Sequence, residues 1–390
     1  MAPEWRDLDQ RSTAPFVYFQ SLDWCLQWWL RQSLPGQDPF VFLVREAGKL
    51  VAVLPMMLAR SAGVRVLRPL GDPHTQYSNL LTESGRLSEP AALALQQAIA
   101  SADVDLLLFH YVPEGSPLLG VLPDRSTAPE LGNVSLQYDL SAHPCAASYD
   151  KAADKKLRQL RRRADTYLSK HGQLSLRVLK PSDEGYCAAI RDCIAMKMVW
   201  ISETARNLDG LGQKDHADFL SALSGTQMLE GGIVFALMSG DVAIAYQIGF
   251  LQRGQYYLYT AGFDWSLRAF SPGMVLIDMT MRWLIDHGIE TFDMMGNPSG
   301  YKERLANRQT HLAGHVMPLG WLWIWVCTHL APYNFMVPTL MSTLVQALTG
   351  VVVLRLLIAL FGRRWAVLVP FTLYLFSTIS VPATPRRPVV

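Results

Sequence analysis

The stretch FSPGMVLIDMTMRWLIDHGIETFDMMGNPSGYK, residues 270–302, decides the fold. Its Ser-Pro-Gly opening reads as a helix start, with Ser271 at the cap and Pro272 at the first helical position, where a missing N–H costs nothing. Apolar residues then recur at helical spacing as far as residue 287. A short strand over 289–294 follows and ends near Asp293. Beyond it Gly296 and Gly300 permit a tight corner that delivers Tyr301 and Lys302.

Upstream, GIVFALMSGDVAIAYQIGF (232–250) reads as two strands about a Ser239-Gly240-Asp241 turn, and the aromatic run 256–263 as a third strand. The same order occurs earlier in the chain. FVFLVREAGKLVAVLPMML (40–58) turns about Ala47-Gly48-Lys49, 64–70 reads as a strand, 89–102 as a helix and 104–111 as a buried strand. Hairpin, strand, helix, strand therefore appears twice, an internal duplication at low identity. Strands alternating with helices predict an α/β architecture with mixed sheets. The expected organisation is two tandem units, 1–145 and 175–318, joined by a basic linker helix over 146–174 and followed by a hydrophobic tail over 319–390. A Trp-rich segment, 22–30, predicts a helix with Trp24, Trp28 and Trp29 packed inward.

The chain has 390 residues, a net charge of +2, 50% hydrophobic and 17% charged residues. So small a net charge does not argue for nucleic-acid binding. Five scattered cysteines with no CxxC spacing point to free thiols in a reducing compartment rather than to a disulfide framework or a zinc site. The acidic start MAPEWRDLDQ has no apolar core and does not read as a signal peptide. The bulk of the chain is expected in the cytoplasm.

Between the two units, 151–170 holds eight Lys or Arg residues. A solvated linker helix and a phosphate- or lipid-facing helix both fit it, the latter if Lys155, Arg158, Arg161 and Arg162 share one broad face. The polar loop Asp72-Pro-His74-Thr-Gln76-Tyr77 is a place where an acceptor could lie between the units. His311 and His315 stand four apart on a predicted strand, where they do not converge on a metal. No Ser-His-Asp arrangement, P-loop or CxxC pair is present, so no metal is expected and direct transfer is simpler than a covalent enzyme intermediate.

The duplicated order, the basic helix followed by LSLRVL, the SPG helix start and the D-x-x-G segment followed by YK resemble the CelD/BcsL-type acetyltransferases, FemAB-like proteins of the GNAT superfamily. The resemblance covers roughly 16–318 and is most specific over 231–302. It implies two tandem GNAT-like domains and transfer of an acyl or aminoacyl group to an amine. In this chain Arg268, Ser271 and Gly273 stand where such proteins carry a Q/R-x-x-G-x-G/A loop for the donor pyrophosphate, with Ser271 in place of the first glycine. Lys302 matches the YK lysine and is assigned to the developing oxyanion, Tyr301 to the leaving group's proton, and Asp293 to orienting the amine or holding Lys302. Acyl-CoA is the implied donor, and aminoacyl-tRNA the second choice.

From residue 312 onward there is no Asp or Glu, while five arginines remain. Residues 335–354 are uncharged over roughly 30 Å as a helix, enough to cross a bilayer core, and 365–381 are at the short limit. Arg355 would cost on the order of 3 kcal/mol at mid-bilayer, which favours a shallow placement. Spanning, re-entrant and interfacial arrangements all fit, as does a buried helical subdomain. The expectation is membrane-lipid attachment at the cytoplasmic face of the inner membrane, and an acyltransferase for an amine of an envelope or exopolysaccharide precursor. A catalytically silent docking or assembly protein of a polysaccharide system is the rival reading.

Overall fold

The computed structural model describes residues 2–61, 64–122, 133–204, 216–225, 231–296, 298 and 300–318. The tail expected at the membrane, with Arg355, Arg363 and Arg364, lies outside them. Among the described residues no helix is long and apolar enough to cross a membrane.

The chain forms α1 (Ala2–Arg11), α2 (Leu22–Gln32), β1 (Gln37–Glu46), β2 (Lys49–Ser61), β3 (Val64–Pro69), β4 (Leu81–Thr82), α3 (Glu89–Ala100), β5 (Leu106–Pro113) and β6 (Asn133–Asp139). It continues with α4 (Ala146–Ala152), α5 (Lys155–Tyr167), β7 (Leu174–Leu179), α6 (Tyr186–Thr204), α7 (His216–Ala222), β8 (Gly232–Ser239), β9 (Val242–Gln252) and β10 (Gln255–Phe263). The last elements are α8 (Pro272–Asp286), β11 (Thr291–Asp293), α9 (Gly300–Leu305) and β12 (Arg308–Pro318).

Among the described residues twelve strands make one sheet in the order β1-β2-β3-β5-β12-β6-β11-β10-β9-β8-β7, with β4 beside β2. The duplication is visible in the pairing. β3 lies parallel to β5 as β10 lies parallel to β11, each pair joined through a helix, α3 or α8. The closing strand of each repeat then crosses over. β6 follows the first repeat but pairs antiparallel with β11, and β12 follows the second but pairs antiparallel with β5. β6 and β12 pair with each other between them, over Arg308–Leu312. Strands from both repeats thus make one hydrogen-bonded surface, and a non-glycine residue at positive φ lies near the end of β5, Tyr111 (55°), and just after β11, Met295 (58°).

One face of the sheet carries a core shared between the repeats. Tyr18, Phe19 and Trp24 from the first meet Phe250, Tyr257 and Phe219 from the second, with Tyr18 stacked on Phe250 at 4.4 Å between centroids. The indole N–H groups keep partners inside it: Trp24 donates to Thr75 Oγ1 at 3.0 Å and Trp28 to His74 Nδ1 at 2.8 Å. His74 is buried, stacked on His216. Trp29, expected inside, is 38% exposed, because it follows Trp28 by 100° around the helix and only one stripe of α2 faces the core.

The basic linker is two helices rather than one, broken at Ala153-Asp154, where Asp154 caps α5 by accepting from Leu157 N at 2.7 Å. Its four cations do not share a face. Arg161 turns inward and bonds Asp278 of α8 through Nε and a terminal nitrogen at 2.9 and 2.8 Å, with Tyr149 donating to the same carboxylate. Lys155, Arg158 and Arg162 stay exposed. A buried Asp278 needs such a bidentate partner, since an isolated carboxylate in the core costs several kcal/mol.

A second cross-repeat tie is Arg253, in the β9–β10 turn. It donates from Nε to Ser12 O and from a terminal nitrogen to Asp9 O, both at 2.6 Å, satisfying carbonyls at the end of α1. Burial pushes the Asp9 carboxyl up to about 6, against the lowering influence of Arg253. A carboxyl raised in the folded state holds its proton there while the unfolded chain has lost it. Stability should therefore fall as pH rises from about 4 to about 6 through this group. Urea unfolding across that window should show the fall in the wild type and a flatter curve in Asp9→Asn.

Candidate active site

The site lies where β10 and β11 part. They pair in parallel only over Gln255–Tyr257 and Thr291–Asp293. β11 ends there, while β10 runs on to Phe263 with only β9 beside it, its register shifted between Leu258 and Thr260. Crevices at the carboxyl ends of parallel strands are where open α/β sheets take ligands. α6 crosses this part of β10 so closely that a Cβ on Gly262 would meet Cys193 O at 2.3 Å and Lys197 N at 2.9 Å. Glycine there is a packing requirement, and it sets the height of Lys197 over the strand.

Asp293 closes β11 and is fully buried. Its carboxylate accepts from Ser135 Oγ at 2.7 Å, Gln137 Nε2 at 3.2 Å, Met295 N at 2.7 Å and the Tyr77 hydroxyl, 2.9 Å from either oxygen. Burial pushes this carboxyl up, and the hydrogen bonds oppose that. Ser135 and Gln137 are alternate residues of β6 and so share a face, and Tyr77 comes from the loop after β3. Three of the four donors therefore belong to the first repeat. None of the three was singled out with Asp293 from sequence, although NVSLQYD carries its polar residues two apart in a strand, and Tyr77 lies in the polar loop already noted.

Lys302 is the third residue of α9 and is largely covered. Its Nζ donates to Gly296 O at 2.8 Å. Burial lowers its ammonium to about 8, Lys197 lowers it further, and Asp293 acts the other way. Asp293 and Lys302 are thus brought within electrostatic reach without forming an ion pair. Tyr301, the neighbouring residue, goes elsewhere: it packs with Val134 and Leu305 in the cluster that also holds Phe292 and Met294, the face of β11 opposite to the Asp293 side chain. Burial pushes its phenol up to about 12, so it holds its proton firmly.

The three residues expected at the donor site gather at the start of α8. Ser271 is the cap residue, but it sits at φ 56°, ψ 52° and its hydroxyl makes no cap hydrogen bond. The reason is that it also ends the 3-10 turn Trp265–Phe270, and one residue joining two helices of different direction must take the left-handed conformation. Gly273 lies 3.6 Å, measured from an added Cβ, from Phe263 at the end of β10, an ordinary contact, so packing alone does not demand glycine there. Arg268 is exposed, donating to Trp265 O and lying 5.1 Å over the Trp265 ring. Gly273, Phe263, Gly262 and Lys197 form a chain of neighbours from the α8 tip to the lysine pair.

Residues 153–303 match the acetyltransferase (GNAT) domain family. This stretch is similar to GNAT domains, and the match spans less than half of the chain. Two solved structures share the fold over most of the chain. The C-terminal domain of a putative lysylphosphatidylglycerol synthetase from Agrobacterium fabrum superposes with TM-score 0.50 at 12% identity, covering 85% of this chain and 95% of that one. FemX superposes with TM-score 0.52 at 9% identity, covering 80% and 95%. No curated protein matches the chain. A GNAT domain supports N-acyl transfer in general and an acyl donor and an amine acceptor as partners. Among the described residues no group of three His, Cys, Asp or Glu side chains could hold a metal ion.

Two substitutions test the site's construction. Tyr77→Phe removes a donor from a buried carboxylate and should cost about 2 kcal/mol in urea unfolding. Ser271→Gly relieves a left-handed non-glycine residue and should stabilise by about 1 kcal/mol, read as a raised midpoint.

Proposed function

We propose that the protein is a GNAT-type acyltransferase that moves an acyl group from acyl-CoA directly to an amine of a cell-envelope or exopolysaccharide precursor. The observation that carries this is Lys302: an ammonium largely withdrawn from solvent, fixed by Gly296 O and standing near a buried carboxylate. The donor's phosphates would approach the start of α8 at Arg268, Ser271 and Gly273. Its extended pantetheine arm, which carries two amides, suits the edge of β10 beyond Tyr257, where β11 no longer pairs. The acceptor amine attacks the acyl carbonyl, the carbonyl oxygen gains charge, and the Lys302 ammonium lies ready to stabilise it. Collapse of that intermediate expels the thiolate, and the proton lost by the amine ends on the thiol. Asp293 acts through position, holding the β11 end and the Met295 turn from which Gly296 and Lys302 follow.

At pH 7 an amine lowered to about 8 is still mostly protonated, so the cation is in place. As pH rises through about 8 it is lost, and acyl transfer should decline over that limb. Lys302→Arg should keep activity in part and remove the limb. Lys302→Met should lower turnover by roughly 100-fold or more, with urea stability at pH 7 unchanged or higher, because a charge that burial penalises has gone. Turnover of acetyl-CoA with amino-sugar acceptors, followed by mass spectrometry, reads all three. Undiminished turnover in Lys302→Met removes the assigned role.

One observation favours a second donor. A lysylphosphatidylglycerol synthetase is named for a lysyl group on a lipid, and its domain has this fold; an aminoacyl-tRNA donor therefore belongs in the same assay. For either donor we place the domains at the cytoplasmic face of the inner membrane, held to lipid by residues 319–390, whose apolar composition without Asp or Glu is the support. The catalytically silent alternative predicts that no donor shifts the melting of the purified protein.

A further inference from the structure

The acyl-transfer reading leaves unused a group of cations and aromatic rings beside the α8 start. Arg163 and Tyr167 stand four apart on α5 and so face the same way, toward the turn Trp265–Phe270. Arg163 donates to Ala269 O at 3.1 Å. Tyr167 stacks on Phe270 with centroids 4.7 Å apart and planes 10° from parallel. Arg268 covers Trp265, and Trp265 stacks on Phe263, the residue that touches Gly273. Tyr167 is 46% exposed although one face of its ring is stacked, which leaves the other face to solvent. A solvent-facing tyrosine held flat by a second ring has already lost its rotational freedom. Guanidinium groups on both sides give the platform a positive border.

We propose that this α5 platform binds the adenine nucleotide of the donor, the base stacking on the outer face of Tyr167 and the ribose-linked phosphates lying against Arg163 and Arg268. The chemistry selects the class. A flat apolar ring offered to solvent suits a nucleobase, for which stacking is worth about 1–3 kcal/mol, and the flanking guanidiniums suit phosphate. Phosphates alone would need no ring, and an apolar partner would need no border of arginines. Adenosine carrying phosphate is common to CoA and to the 3′ end of tRNA, so the platform serves either donor. It also explains what the basic helix is for: Arg161 secures it to Asp278 from behind, and the Arg163–Tyr167 stripe is thereby held at the entrance to the crevice. The inference rests on the acyl-transfer reading.

Titration calorimetry with adenosine 3′,5′-bisphosphate, with CoA and with an RNA minihelix ending in single-stranded CCA tests it. Adenosine bisphosphate should bind the wild-type protein, Tyr167→Ala and Arg163→Ala should each weaken it about tenfold, a loss of about 1.4 kcal/mol, and Tyr167→Phe should restore it. Loss of CoA binding in the same variants assigns the platform to CoA; loss of minihelix binding with no CoA binding assigns it to tRNA. Circular dichroism checks that the exposed substitutions leave the fold intact. Binding of every probe equal in wild type and variants overturns the proposal, as does absence of binding by all three. Acyl transfer separates the two readings: turnover with an unchanged donor KM in Tyr167→Ala and Arg163→Ala sinks the platform and leaves the enzyme, whereas no turnover with either donor sinks the enzyme.

Discussion

The pairing of β6 with β12 is the constraint on which the rest depends. Each repeat gives its last strand to the other, and the two exchanged strands meet at the middle of the sheet. The hydrogen bonds of this pairing cannot be made by either repeat alone. Beside it, the pairing of β6 with β11 places Gln137 opposite Asp293, and Ser135 and Tyr77 reach the same carboxylate. Burying a carboxylate costs several kcal/mol, and Asp293 tolerates it because four donors converge on it. Three of those donors come from the first repeat, so the residue at the base of the crevice is satisfied only when both repeats are folded together.

The two repeats have since taken different parts. In the second, the parallel strands pair over three residues only, and α6 crosses β10 beyond them. In the first, the segment after β3 folds inward: Thr75 accepts from Trp24 and donates to Leu70 O, His74 accepts from Trp28, and Tyr77 reaches across to Asp293. The first repeat has become a support whose polar contribution is delivered to the other's site.

Much of the architecture was legible because it rests on local signals. The Gly turns at 48 and 240, the alternation of strands and helices, the SPG helix start and the Ser88 cap are short-range features, and the structure has hairpins and helices there. What local reading missed has one kind of cause. Trp29 and Arg161 were assigned by composition and by a wide helical face, but which side of a helix is buried depends on its neighbour: Trp29 is turned out by the position of the core, and Arg161 is turned in by Asp278. The break at Ala153-Asp154 was hidden because Asp fits a helix cap and a helix surface equally well in sequence.

The candidate residues divide in the same way. The sequence alone determined that Ser271 and Gly273 begin a helix, that Asp293 ends a strand, and that Lys302 follows a glycine corner, because Pro, Gly and apolar period act within a few residues. Only the tertiary structure decided that Lys302 would be covered and its ammonium lowered, that Tyr301 would pack on the other face, and that Ser271 would be left-handed rather than a hydroxyl cap. Burial and charge in the site are set by groups up to 216 residues away in the chain, as between Tyr77 and Asp293, and a fold is needed to bring them within 3 Å.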